Sequence, residues 1–167
     1  EPGVIKETGN IHSFYFGSET ATQQKLKNLE TIFLDAAIEA KYAKNIRQTI
    51  WEKFIFISVV ASLTTCLNKA IGPILENEDH RLLAKKLVTE LRAVAAAKHI
   101  ILPADIVEKT IATMERMPYE ATSSMHSDHL KGGRTEYKSL TEYVVNEGRT
   151  LNVSVPEYEK VLSAIHH

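Results

Sequence analysis

The sequence predicts a mainly helical domain, built round one long buried helix and preceded by a small strand–helix–strand segment. Residues 46–70 contain neither proline nor glycine and are largely apolar on every side, a pattern typical of a helix in a protein interior. The length of this run favours a helix over a strand. Short alternating and aromatic runs typical of strands occur only before residue 43.

The first part of the chain predicts a strand, a helix and a second short strand. Residues 11–16 alternate and are rich in aromatic side chains, and residues 38–42 form a second extended run. Residues 20–37 place apolar side chains at helical spacing. The members of this stripe are Leu26, Leu29, Ile32, Phe33 and Ala36. We expect residues 1–43 to belong to one domain and residues 44–167 to another.

Proline and glycine divide the rest of the chain into helices. The central helix is expected to end before Gly72 and Pro73, a common stop signal. Residues 78–99 predict a packing helix. Its apolar face is expected to contain Leu82, Leu83, Leu87, Leu91, Val94 and Ala95. The other predicted helices cover residues 104–117, a short segment that opens at the serine pair, and residues 139–146 and 157–165.

Composition excludes several classes of protein. Twenty basic and twenty-one acidic residues give a net charge of −1, which provides no general attraction to nucleic acid. The strongly apolar centre of the long helix, residues 54–63, is shorter than the roughly 20 residues of a membrane span. The single cysteine, Cys66, lies in this helix and is expected to be a core residue. We find no signal peptide and expect a cytoplasmic protein.

The segment TSSMHSDHLKGGRTE, residues 122–136, is a candidate binding site. Thr122, Ser123 and Ser124 are good helix N-cap types, and a helix N-terminus suits a carboxylate or phosphate. Arg134 and Glu136 follow a double glycine and can fold back towards the same place. The alternative interpretation is a capped surface helix with a glycine exit.

Lys53 is a candidate for proton transfer. It lies at the edge of the apolar run, where burial would disfavour the ammonium and lower the pKa of this lysine. In the alternative interpretation the stem of Lys53 follows the apolar surface and the ammonium reaches water.

Two histidines have the spacing of metal ligands but lack further ligands. His126 and His129, with Asp128 between them, share one side of a short helix that we expect to be exposed. No third and fourth ligand follow at a supporting spacing, so no metal site is predicted. His166 and His167 are either native or the start of an affinity tag.

Several motifs in a fixed order resemble the C-terminal domain of the ketopantoate reductase family. The family carries a W-x-K motif on a long helix, an S-S-M-x-x-D segment that leads to G-R-x-T-E-like residues, and a Y-V-V-x-x-G tail followed by V-x-x-P. The residues that carry this resemblance are Trp51 and Lys53; Ser123, Ser124, Met125 and Asp128; Gly133, Arg134, Thr135 and Glu136; and Tyr143, Val144, Val145, Gly148, Val153 and Pro156. The opening residues 1–17 also look like the last hairpin of the family's dinucleotide domain.

The resemblance implies a fold and an activity for a longer protein. The helical part should resemble the C-terminal domain of ketopantoate reductase and 6-phosphogluconate dehydrogenase. NADPH should be bound mainly by an N-terminal domain opened by G-x-G-x-x-G, which this sequence does not contain. Residues 1–43 would then be the remnant of that domain, and the chain would be the substrate-binding half of an oxidoreductase, inactive alone. We also expect a homodimer that binds neither nucleic acid nor membrane.

The same resemblance implies roles for three residues. Lys53 corresponds to the lysine that protonates the substrate carbonyl oxygen as hydride arrives from NADPH. Ser124 corresponds to the serine that binds the substrate carboxylate. Glu136 corresponds to the glutamate at the nicotinamide end of the cleft.

Where the family places asparagines that hold the substrate's oxygen atoms, this chain has Ile57, Ala61 and Ile71. The implied substrate is therefore a 2-oxo acid or ketone that is not fixed by the resemblance; ketopantoate would place the enzyme in pantothenate biosynthesis. Two alternatives remain: a non-catalytic helical interaction or dimerisation module, and a regulatory paralogue that binds without turnover. A G-x-G-x-x-G segment upstream in the gene would favour the enzyme.

Overall fold

The computed structural model describes residues 3–4 and 13–165. The chain divides into two compact units, residues 1–49 and 50–167. Ile11 and His12, which were predicted as strand, lie outside the described residues, as do His166 and His167. Most of the hairpin expected in residues 1–17 also lies outside them.

The first unit is a strand–helix–strand arrangement, as predicted. Strand β1 (Phe14–Phe16) and strand β2 (Ala40–Tyr42) pair in parallel, with Phe14 opposite Ala40, and helix α1 (Gln23–Asp35) connects them. Phe33 of α1 packs edge-on against Phe14 and Phe16, with ring centroids 5.2 and 5.7 Å apart. A carboxylate oxygen of Glu30 accepts the backbone N–H of Tyr42 at 2.6 Å and so fixes α1 on β2.

The stripe predicted on α1 is only partly buried. Leu26 is buried, but Leu29, Ile32 and Ala36 are exposed, Ile32 by 62%. The sequence pattern correctly predicted an amphipathic helix. Its apolar side nevertheless has no covering layer among the described residues.

The second unit is entirely helical apart from its loops. Its elements are α2 (Ile46–Leu67, which begins in the first unit), α3 (Ile71–Glu76), α4 (Glu78–Ala97), α5 (Ile106–Glu115), α6 (Ser124–Leu130), a π-helical segment (Lys138–Glu142), α7 (Tyr143–Leu151) and α8 (Pro156–Ile165). The mainly helical class predicted from the sequence is therefore confirmed. Cys66 is half-buried against the core, and burial raises the pKa of its thiol.

Helix α2 is the axis of this unit, but it ends earlier than predicted. Asn68 adopts a left-handed backbone with φ 49°, which stops the helix at Leu67. Gly72 and Pro73 lie instead in the first turn of α3, where a proline needs no N–H partner. A Cβ on Gly72 would lie 2.2 Å from the ring of Tyr119, so only glycine fits there.

By length and composition α2 would also suit a membrane span, although 56% of its most apolar window is buried inside the protein. Core helices of soluble domains have the same composition. Leu63 and Val59 are fully buried in the same core as Leu87 and Leu91 of α4.

Helix α4 packs through a narrower face than predicted. Leu87, Leu91, Val94 and Ala95 are buried as expected, whereas Leu82 is exposed. Both carboxylate oxygens of Glu90 accept N–H groups from the first turn of α8, those of Glu157 at 2.9 Å and Tyr158 at 3.0 Å. This side-chain cap ties α8 to α4.

The helix predicted for residues 139–146 is a π-helical segment followed by α7, which continues to Leu151. The π-helical segment contacts α2 through hydroxyl groups. The Ser58 hydroxyl donates to the Leu140 carbonyl at 2.9 Å and lies 2.9 Å from the buried Tyr158 hydroxyl. The Ser62 and Thr141 hydroxyls are 2.8 Å apart. Small polar residues inside the apolar helix thus position this segment.

We expect Ser58→Ala to destabilise the domain more than Tyr158→Phe. Ser58→Ala leaves the buried Tyr158 hydroxyl without its partner and removes the hydrogen bond to the Leu140 carbonyl, which costs about 1–3 kcal/mol in the free energy of unfolding. Tyr158→Phe keeps the Ser58–Leu140 bond and loses a single hydrogen bond, worth about 0.5–1.5 kcal/mol. Urea unfolding of both variants gives the comparison, and the reverse order would contradict this account of the contact.

Candidate functional site

Lys53 lies on an exposed face of α2. Its side chain is exposed among the described residues, so the burial considered as one interpretation of the sequence is not observed there. The alternative, in which the ammonium reaches water, describes the arrangement observed. Ile50 and Ile57, one turn before and one turn after Lys53, are also exposed, by 56% and 38%.

Ser123, and not Ser124, caps helix α6. The Ser123 hydroxyl oxygen accepts the backbone N–H of His126 at 3.0 Å. It also lies 2.8 Å from the Thr64 hydroxyl of α2. Because Thr64 donates to the Val60 carbonyl at 2.8 Å, Ser123 is the donor in the Thr64 contact. The N-terminus of α6 is thereby fixed on α2.

Ser124 follows as the first residue of α6, and its side chain is exposed. Its hydroxyl makes no hydrogen bond to another residue in the part of the chain that the structure describes. Helix α6 has 7 residues, fewer than two full turns, so its dipole is smaller than that of a long helix. The group that Ser124 offers to a ligand is therefore its hydroxyl.

His126 supports this segment from inside the protein. It is buried, contrary to the expectation of an exposed helix face. Its Nδ1 lies 2.5 Å from the Thr122 hydroxyl and its Nε2 lies 2.8 Å from Oδ1 of Asn68. Both ring nitrogens are thus engaged by other side chains. Within residues 3–4 and 13–165, no three His, Cys, Asp or Glu residues converge as metal ligands.

Burial, with a smaller contribution from His129, lowers the pKa of His126 below its ordinary value of 6.5. The unfolded chain therefore binds a proton at this position more readily than the folded chain. The contribution of neutral His126 to stability is complete above pH 6.5 and is lost as the pH falls through the lowered pKa.

We expect the urea midpoint of the domain to fall as the pH is lowered from about 7.5 to about 5.5, because protonation of His126 favours the unfolded chain. His126→Gln should flatten this dependence. His129→Gln, a neighbouring exposed control, should keep most of it. If the urea midpoint of His126→Gln falls with pH as steeply as that of the unchanged protein, His126 is not the source of the pH dependence.

Glu136 lies two residues before the π-helical segment and is exposed. Its backbone carbonyl accepts the N–H groups of Ser139 at 2.9 Å and Leu140 at 3.1 Å. The contacts of Ser58 and Ser62 with Leu140 and Thr141 hold this segment on α2. The carboxylate of Glu136 is thus carried by a fixed backbone.

Lys53 and Thr64, which holds Ser123, lie on nearly the same side of α2. Thr64 follows Lys53 by about three helical turns, roughly 16 Å along the helix axis. Between these two positions Ile57 is exposed, whereas Val60 and Ala61 are buried. Among the described residues, Lys53 and Ser124 make no hydrogen bond to each other.

Of the three positions where the resemblance implies asparagines, only Ile57 is on the open surface. Ala61 is 2% exposed. Ile71 begins α3 with a buried side chain, and its N–H donates to the Ala121 carbonyl at 2.9 Å. Ala61 and Ile71 thus face the protein interior among the described residues, and the interpretation that the three residues replace a polar lining stays a prediction.

Sequence reasoning missed the residues that position the site. Thr64 and Asn68, which contact Ser123 and His126, were not singled out. Nor were Ser58 and Ser62, which contact the π-helical segment. Their signal was present, because serine and threonine recur in the apolar run at helical spacing. Such a pattern within a buried helix indicates hydroxyl contacts to a neighbouring segment.

Residues 45–167 match the family model described as "Ketopantoate reductase PanE/ApbA C terminal". The chain belongs to the ketopantoate reductase family. Its mainly helical fold and its relation to oxidoreductases follow from this membership.

Among curated relatives, an uncharacterized oxidoreductase of Bacillus subtilis, YkpB, is 29% identical over 95% of the chain and 53% of its own length. A solved PanE/ApbA family ketopantoate reductase from Ralstonia eutropha superposes with a TM-score of 0.80 at 23% identity, over 94% of this chain and 51% of that one. D-mandelate dehydrogenase, solved with NADH and anilino(oxo)acetate, gives 0.79 at 18% identity, over 92% and 65%. The chain thus spans about half the length of the curated relatives it matches.

Proposed function

We propose that this chain is the substrate-binding half of an NADPH-dependent reductase that converts a 2-oxo acid or ketone into the alcohol. Lys53 carries the proposal: it is an exposed ammonium at the motif position of the family, on the face of α2 that leads to the serine pair. Ketopantoate as substrate would place the enzyme in pantothenate biosynthesis, in the cytoplasm.

In this proposal residues 44–167 form the substrate and dimerisation domain, and residues 1–43 complete a dinucleotide domain. The exposed apolar residues of α1, such as Leu29 and Ile32, support this division because a larger sheet and its helices would cover them. The chain alone should be inactive, since it contains no G-x-G-x-x-G segment.

Glu136 suits the cofactor end of the cleft. Its carboxylate is exposed, and a carboxylate accepts hydrogen bonds from donors of the kind found on a ribose or a carboxamide. This hydrogen-bond acceptor is therefore compatible with a nicotinamide dinucleotide, which when bound would supply the hydride. D-mandelate dehydrogenase was solved with NADH. We propose NADPH for this protein because the resemblance to the ketopantoate reductase family implies that cofactor.

Lys53 would supply the proton. Its ammonium donates a hydrogen bond to the carbonyl oxygen, stabilises the negative charge that develops there, and transfers a proton to give the alcohol. Because Lys53 is exposed, the neutral amine can take a new proton from water. The Ser124 hydroxyl would donate to the carboxylate of the substrate and so fix the carbonyl carbon.

The test is the oxidation of NADPH, and in parallel of NADH, by the full-length gene product in the presence of ketopantoate and other 2-oxo acids. We expect reduction that depends on the 2-oxo acid, and none with residues 1–167 alone. Absence of dinucleotide-dependent reduction by the full-length product for every 2-oxo acid tested would refute the proposal and favour a binding module.

We also expect residues 1–167 to dimerise. The two-stranded sheet has open edges among the described residues, and exposed apolar side chains of α1 adjoin it. Open edges and apolar patches both favour pairing. Sedimentation equilibrium should give a dimer whose population rises with concentration; Ile32→Glu should weaken it. A monomer at millimolar concentration would contradict this expectation.

A further inference from the structure

A cavity on the outer side of helix α4 contains no residue of the candidate site. It has a volume of about 680 Å³ and lies between the last turns of α4 and the loop that leads to α5. Leu87 and Leu91, on the opposite side of α4, are buried in the core. Ligand sites in proteins commonly have volumes of about 300–1,000 Å³ and a mainly apolar lining with a few polar groups. The size of this cavity is therefore that of a small-molecule site.

Most of the cavity lining is hydrocarbon. Ala93 and Ala96 are exposed on α4 and contribute only methyl groups, which leaves the space above them open. Ile100, Ile101 and Leu102 line the cavity from the loop, and Ile101 is 80% exposed. One exposed isoleucine alone is ordinary. Beside a concave apolar surface, however, it provides further area that a hydrocarbon chain can cover.

The cavity also contains a fixed positive charge without a partner. Arg92 lines it, is exposed, and makes no hydrogen bond or ion pair with another of the residues that the structure describes. The lining residues include no aspartate and no glutamate. A guanidinium stays charged at every ordinary pH and binds a carboxylate through two parallel hydrogen bonds. The charge of the cavity thus suits an anion.

His99 lines the same cavity from an unusual backbone conformation. Its φ is 58°, and it follows the end of α4, where its N–H donates to the Ala96 carbonyl and the Ile100 N–H donates to the Ala95 carbonyl, both at 2.9 Å. Glycine is the usual residue at this left-handed position. A larger residue in this conformation points to a role for its side chain. The exposed imidazole of His99 offers a second hydrogen-bonding group beside Arg92.

We propose that this cavity binds an aliphatic monocarboxylate, with the carboxylate at Arg92 and His99 and the hydrocarbon chain along Ala93 and Ala96. The unpaired guanidinium favours the anionic group, and the apolar lining favours the chain. Because the cavity shares no residue with the candidate site, this inference does not depend on the proposed reductase function.

The test begins with ligands that differ in charge or chain length. Titration calorimetry of the full-length gene product with octanoate should show one saturable site. Octan-1-ol has the same chain length but no charge and should bind at least about tenfold more weakly, because it lacks the charge-assisted hydrogen bonds. Hexanoate should bind about 4- to 15-fold more weakly than octanoate, since it has two fewer methylene groups to bury.

Arg92→Gln should raise the Kd for octanoate by about 10- to 100-fold, the equivalent of a hydrogen bond to a charged group. It should change the Kd for octan-1-ol by less than about threefold. Lys85→Gln is the matched control, because it removes the same charge from an exposed position of α4 outside the cavity lining. It should leave the Kd for octanoate unchanged.

His99→Gly separates binding from folding. Glycine fits the left-handed backbone without strain, so the urea midpoint should stay the same or rise, whereas the Kd for octanoate should rise at least about threefold. A loss of affinity in this variant cannot then come from a less stable protein. His99→Asn keeps a hydrogen-bond donor at a position that asparagine tolerates and should lie between the two.

Several results would overturn the inference. These are the absence of saturable octanoate binding, equal affinity for octan-1-ol and octanoate, and equal effects of Arg92→Gln and Lys85→Gln. Displacement of octanoate by a short 2-oxo acid that the enzyme reduces would place octanoate at the candidate site and would also refute the inference. If octanoate does not bind and Ile101→Glu converts a dimer into a monomer, a second copy of the chain covers the cavity instead.

Discussion

Lys53→Ala in the full-length gene product should lower kcat by about 10²–10⁴-fold, the usual contribution of a general acid. The loss should appear in kcat far more than in KM. The ammonium is proposed to act on charge that develops on the carbonyl oxygen in the transition state, and a group that acts only there changes turnover and not ground-state binding. Steady-state kinetics with a 2-oxo acid and NADPH measure both constants.

Lys53→Arg is the matched control for charge. A guanidinium keeps the positive charge at this place but does not release its proton readily, since its pKa lies above about 12. If proton donation matters, Lys53→Arg should be nearly as slow as Lys53→Ala. Near-normal turnover in both variants would show that Lys53 is only a solvated residue at the edge of α2, and the mechanism would then be wrong even though the fold is right.

The sequence was sufficient to predict the central helix and the helical class. Residues 46–67 lack proline and glycine and are apolar on most sides, a pattern that over this length is typical of a buried helix. The end of this helix was harder to predict from the sequence. Asn68 stops it with a left-handed backbone, while the stronger stop signal, Gly72 and Pro73, begins the next helix, where glycine is required by the ring of Tyr119.

The π-helical segment at Lys138–Glu142 was not predictable from local pattern. It differs from an α-helix by one extra residue per turn over 5 residues, which periodicity does not resolve. The hydroxyls that contact it, Ser58 and Ser62, lie on α2 far away in sequence. Such segments occur often at functional sites, and Glu136 lies two residues before this one.

For the candidate site, the sequence predicted the types of residue but not which of them caps α6 and which stays exposed. Thr122, Ser123 and Ser124 are all capping types, so local sequence does not decide which of them caps α6. Ser123 is the cap because Thr64 contacts its hydroxyl and Asn68 contacts His126, and both contacts fix the first turn of α6. These contacts leave the Ser124 hydroxyl exposed and without a bond to the described residues, as a ligand-binding group requires. The catalytic role of Lys53, the substrate-binding role of Ser124 and the cofactor-binding role of Glu136 stay predictions.

Ser124→Ala should raise KM for 2-oxo acids by about 10- to 100-fold, the equivalent of one hydrogen bond to a charged group, with little change in kcat. The carboxylate that Ser124 is proposed to hold carries the same charge in the ground state and in the transition state, so its contact contributes uniform binding. A ketone of similar size that lacks the carboxylate should have the same KM in Ser124→Ala as in the unchanged protein.

Ser123→Ala is the neighbouring control, because it removes a hydroxyl with a different task. It deletes the cap of α6 and the contact with Thr64, so it should lower the free energy of unfolding by about 0.5–2 kcal/mol. Ser124→Ala removes neither contact and should leave the unfolding transition in place. The two variants therefore separate binding from folding at adjacent positions. If Ser124→Ala affects reduction of the ketone as strongly as that of the 2-oxo acid, Ser124 does not bind the carboxylate.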